Sequence, residues 1–104
     1  MSGQIERMAE RRDELLERVA EIDRRIVEID LESGGLQLEI DDLRDGGHDE
    51  DEVELIEFEL DELDDERNTL ESERVDCTIE LIQIENNTRE LMSAWETSMR
   101  AVAP

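Results

Sequence analysis

Residues 40–56, IDDLRDGGHDEDEVELI, decide how this chain folds. Gly46 and Gly47 are poor helix residues, and the Asp45-Gly46 step is a turn signal. Ile40 and Leu43 lie on one side of them and Val53 and Ile56 on the other, each pair three residues apart.

Working outward, both sides carry a heptad pattern. The first half reads Ile5, Met8, Arg12, Leu15, Val19, Ile22, Ile26, Ile29, Ser33, Leu36, Ile40, Leu43, with spacings of three and four alternating throughout. The second half reads Val53, Ile56, Leu60, Leu63, Arg67, Leu70, Arg74, Cys77, Leu81, Ile84, Thr88, Leu91, Trp95, Ser98, Val102. Each is an a/d seam of a coiled coil. The phase breaks between them: the first seam would place an a position at residue 54, whereas the second starts at Val53.

A fold-back brings the two seams into register. In an antiparallel pair, facing residues have a constant sum. Leu43 with Val53, Ile40 with Ile56, Leu36 with Leu60, Ile26 with Leu70, Val19 with Cys77 and Leu15 with Leu81 all add to 96, with His48 at the midpoint. Every pair sets an a position against a d position. The expected fold is all-α: a single antiparallel two-helix hairpin, with helix 1 over about 4–44, a turn at 45–50 and helix 2 over about 51–101. Gly34-Gly35 lies inside the first arm, where each Gly weakens a helix by about 1 kcal/mol, so a kink, fray or short break is expected there.

A second pattern competes at the tip. Leu36, Leu38, Ile40 and Val53, Leu55, Phe58, Leu60 contain alternating stretches that suit a short β-hairpin between the helices. That arrangement resembles the prefoldin chaperone subunits, in which helical arms flank a β-hairpin. The alternation fails at Ile56-Glu57, and the interleaved acids have low strand propensity.

Composition narrows the function. The chain has 33 acids against 11 cations, all Arg, for a net charge of −22. That charge argues against nucleic acid and against anionic membrane surfaces as partners. It leaves open an acidic binding module that imitates nucleic acid, with the acids of residues 49–66 facing a basic protein. The absence of Lys and the excess of Asp and Glu resemble proteins of extremely halophilic archaea or of their viruses. In molar salt the Debye length shrinks to about 3 Å, which screens repulsion among the acids. Met1 to Arg12 is polar, with no signal-peptide pattern, and no apolar run approaches about 20 residues. The expected location is the cytoplasm or a virion of a halophilic host.

No motif carries chemistry. Cys77 is alone and occupies a d position, where it reads as a small hydrophobe. His48 lies beside carboxylates but lacks a second His, a thiolate or the spacing of a calcium loop, so no metal site is expected. No nucleophile–His arrangement stands out, and neither an enzyme nor a cofactor is expected. Arg12, Arg67 and Arg74 fall on seam positions and would face Ile84, Ile29 and Ile22. Their stems are expected to pack on the seam while their heads reach neighbouring carboxylates.

Candidate functional residues are apolar. Val27, Leu31 and Leu38, and Leu55, Phe58, Val75, Ile79 and Ile82, fall at b, c or f positions that a lone hairpin exposes. Val75, Ile79 and Ile82 make a stripe, which marks a partner surface and a larger helical bundle. Residues 1–25 carry net −1, 26–85 net −21 and 86–104 net 0. A hairpin joins the two near-neutral segments at its base, where Met92, Trp95, Met99 and Val102 lie. Trp anchors interfaces and Met adapts to irregular ones. The sequence thus points to a structural or assembly protein. It would self-associate or dock on a larger complex, with a virion component as one setting.

Overall fold

In a computed structural model, the chain forms two α-helices that pack on each other as a hairpin. The structure describes residues 2–47 and 50–102, with side chains described over 3–47 and 50–100. Helix α1 spans Ser2–Asp45 and α2 spans Glu50–Val102.

The turn begins where the glycines stand. Gly46 N–H donates to the Asp42 carbonyl at 3.0 Å and Gly47 N–H to the Arg44 carbonyl at 3.3 Å. These bonds satisfy carbonyls that the helix end leaves without partners. Gly47 has φ +68°, a left-handed conformation that a Cβ disfavours. Glu50, Asp51 and Glu52 occupy the first turn of α2, and Arg44 the last turn of α1. Both placements complement the helix dipoles. His48, the expected midpoint, and Asp49 lie outside the described residues.

Of the two patterns that compete at the tip the helical one is realised, and the break or fray expected in the first arm is not. Residues 36–45 and 50–60 are helical, and no strand occurs among the described residues, so the β-hairpin is absent and the prefoldin likeness loses its defining feature. The reason lies in the burial period: Ile40 and Val53 are buried and Leu36, Ile56 and Leu60 half-buried, whereas Leu38, Leu55 and Phe58 are exposed. A strand would have hidden the wrong set. Helix α1 also runs through Gly34 and Gly35 without a break or fray. Both glycines sit off the seam in open space, and Ile29 and Ile40 on either side are 1% exposed. Packing of the apolar face outweighs a weak local propensity.

The chain divides into two compact units, one of residues 20–74 and one of residues 1–19 with 75–104. In the unit of 20–74 the core is Ile22, Ile29, Ile40 and Val53, and the three isoleucines are the largest fully buried side chains. Burying each one stabilises the fold by about 1.5–3 kcal/mol. In the other unit the buried residues are Leu15 and Cys77, with Met8, Val19, Leu81, Ile84, Thr88 and Leu91 half-buried around them. The Thr88 hydroxyl lies 4.0 Å from the Met8 sulfur, a facing pair that also adds to 96.

Candidate interaction surface

The heptad seam aims three kinds of side chain away from itself: cross-helix ion pairs along its flanks, an apolar stripe on the back of α2, and a groove beside Trp95.

The flanking ion pairs explain how acidic helices tolerate contact. Arg67 Nε donates to Asp30 Oδ1 at 2.9 Å and Arg74 Nε to Asp23 Oδ1 at 2.6 Å. Arg67 also pairs with Glu71 on its own helix. Each guanidinium is raised above its ordinary pKa, chiefly by the hydrogen bond to its aspartate. Seam arginines therefore turn their heads out to carboxylates, as long amphipathic side chains do. Arg12 behaves differently: its Nη2 stands 3.6 Å from Asp13 of its own helix and the residue is exposed.

Three further pairs escaped the seam-based reading. Arg25 grips Glu66 with two nitrogens, Nη2 to Oε1 measuring 3.0 Å. The contact holds the Glu66 carboxyl below its ordinary pKa, the hydrogen bond from Arg25 being the main cause. Arg11 Nε donates to Glu80 Oε2 at 2.9 Å, and Arg44 Nη2 to Glu57 Oε1 at 2.9 Å. A signal was present. The residue numbers of Arg11–Glu80 and of Arg25–Glu66 both add to 91, so the rule that pairs the seam also finds charges on its flank.

The stripe on α2 is exposed as a unit: Val75, Ile79 and Ile82 are 56%, 49% and 52% accessible. They stand at i, i+4 and i+7, so they share one face of the helix. Val27, Leu31, Leu38, Leu55 and Phe58 are exposed in the unit of 20–74.

At the other sequence-predicted patch, Met92, Trp95 and Met99 are each more than half exposed. Gln4, Ile5, Leu91, Met92, Ala94, Trp95 and Ser98 line a groove of about 550 Å³. Trp95 and Ser98 belong to the seam pattern yet are exposed, and so is Ile5. By the constant sum, residue 95 would face residue 1, and Ser98 has no described α1 residue opposite it. Ile5 faces only half-buried Leu91 at the rim of this groove. The side chain of Val102 lies outside the described residues. Leu16, an e-position residue that the pattern did not single out, is also exposed and lines a second hollow with Ile5, Leu81 and Met92.

Among the described residues no cluster of three or more His, Cys, Asp or Glu side chains could hold a metal ion. Nor is any described helix long and apolar enough to cross a membrane. Comparison with protein-family models, curated proteins and solved structures finds no match to this chain.

Proposed function

We propose that the protein is a non-enzymatic structural or assembly component that docks through apolar surface on an otherwise acidic hairpin. The observation that carries the reading is the exposure of Met92, Trp95 and Met99 around a groove, together with the stripe of Val75, Ile79 and Ile82. Large apolar side chains that recur at helical spacing on a chain with 42% charged residues mark partner surfaces. Trp and Met are the residue types that interfaces favour.

Charge supports the same assignment. The stretch that holds Trp95, residues 86–104, has two acids and two Arg, whereas residues 26–85 have 24 acids and three Arg. Contact at the neutral stretch avoids bringing large like charges together. The composition, with all cations as Arg, fits a halophilic archaeal host or its virus, and a small virion component is the setting we favour there.

Light scattering of the full chain in molar salt tests the proposal. An assembly larger than one chain is expected, weakened when Trp95→Ser and Met99→Ser are combined. A monodisperse monomer that captures no partner, and that these changes leave untouched, would sink the idea.

A further inference from the structure

The unit of residues 1–19 with 75–104 has two unlike sides. In an antiparallel coiled coil the e positions of both helices flank the seam on one side and the g positions on the other, with b beside e and c beside g. The Arg11–Glu80 pair and the hollow lined by Gln4, Arg7, Gln83 and Asn87 mark the g side. The hollow lined by Ile5, Ala9, Leu16 and Met92 marks the e side. Among the described residues of this unit, eight large apolar side chains are exposed. On α1 they are Ile5 at an a position and Leu16 at e. On α2 they are Val75 and Ile82 at b, Ile79 at f, Met92 and Met99 at e, and Trp95 at a. None is at g or c.

The stripe and the groove are therefore two parts of one face. Glu85 and Arg89 stand between them on α2 and pair with each other at 3.0 Å. Leu16 spans the gap from α1, across the hollow that it shares with Met92.

We propose that this face packs on the same face of a second copy of the chain, bringing four helical segments together. The inference rests on the assembly reading and deepens it by naming the occupant. Two observations select a second copy. The first is size. Eight side chains of this kind, each about half exposed, present on the order of 800 Å², which is what a stable interface buries per partner. The largest apolar patch on a typical monomer is smaller, about 300–600 Å². The second is charge. The same side carries Glu6, Asp13, Glu85 and Glu96 against Arg12, Arg89 and Arg100, net −1. A partner recognised by its charge would call for a face of strong opposite sign, and this face has none. Identical faces with both signs interspersed meet with little net repulsion, and two-fold symmetry makes each contact twice. The chain as a whole carries −22, so the dimer should tighten as salt rises to molar.

Sedimentation equilibrium of the full chain in molar salt should give twice the 12.1 kDa chain mass. Ile82→Glu in the stripe and Met92→Glu beside the groove should each weaken the dimer about tenfold or more, by placing a charge in the contact. Gln83→Glu adds the same charge one residue along, on the g and c side, and should change the dimer by less than about twofold. Far-UV dichroism should be the same for all three variants, because each residue is exposed and outside the a/d seam. A wild-type monomer overturns the proposal. So does a dimer that Ile82→Glu leaves intact, or that Gln83→Glu weakens as much as Ile82→Glu does. If an oligomer resists Ile82→Glu yet yields to the combined Trp95→Ser and Met99→Ser changes, the single face falls while docking through the groove stands.

Discussion

The unit of residues 20–74 carries 23 acids and five Arg, net −18, whereas the unit of 1–19 with 75–104 carries ten acids and six Arg, net −4. The more strongly charged unit has the tighter seam. It holds all three fully buried isoleucines, and four of its five Arg reach a carboxylate on the opposite helix. The less charged unit buries Leu15 and Cys77 and leaves apolar residues facing a groove. The contrast teaches how charge and packing are distributed along the chain. Where self-repulsion is greatest, the seam is most continuous and the Arg residues serve the hairpin. Exposed apolar residues occur in both units, and in the less charged one they line the groove beside Trp95.

The largest effect expected is on the seam itself. Ile22→Ala or Ile29→Ala should cost about 2–5 kcal/mol, as large-to-small changes do in tight packing. Ile5→Ala, at a nominally equivalent seam position that is 46% exposed, should cost under about 1 kcal/mol. Urea unfolding in molar salt measures both, and equal losses would break the comparison.

Salt should separate the units next. Diluting from molar salt to about 0.01 M lengthens the Debye length from about 3 Å to about 30 Å. Amide hydrogen exchange should then rise first within residues 20–74, where net −18 is concentrated. Earlier exchange in the other unit would show that packing, not repulsion, sets the order.

The glycines should respond in opposite directions. Gly34→Ala and Gly35→Ala should each stabilise by about 1 kcal/mol, because a Cβ at either site meets nothing within 4 Å. Gly47→Ala should destabilise by about 1–2 kcal/mol, because Gly47 has φ +68°. Thermal melts of the three variants suffice.

The smallest effect sharpens the ion-pair half of the comparison. The Glu66 carboxyl is held below its ordinary value by Arg25. A carboxyl with a depressed folded-state pKa contributes stability that is present above the unfolded value, near 4.5, and lost as pH falls through the folded value. Wild type should therefore exceed Glu66→Gln in unfolding midpoint at neutral pH, and the gap should close under acid conditions below that folded value. A gap that is constant with pH would mean that the side chain acts through packing.

Much of this was legible in residue spacing. The a/d listing anticipates the buried or half-buried state of Leu15, Ile22, Ile29, Ile40, Val53 and Cys77, because a 3.5-residue period and a single fold-back leave one way to hide those side chains. The exposure of Val75, Ile79 and Ile82 was legible for the same reason. The break or fray expected at Gly34-Gly35 does not form, because intrinsic propensity is a local quantity and the seam on either side is not. The alternation of Leu36, Leu38 and Ile40 suggested strand because three residues fit both periods. The grips of Arg25 on Glu66 and of Arg11 on Glu80 were hidden among 33 acids, where any Arg has several candidate partners.

By itself, the sequence determined that this chain is two helices folded at a Gly-Gly turn, since period and phase are one-dimensional properties. Which carboxylate each arginine takes, and that Ile5 and Trp95 line a groove instead of closing the seam, was decided only in the tertiary structure. Those outcomes depend on what stands opposite in space: a flexible guanidinium chooses by distance, and a seam residue is buried only where the other helix covers it.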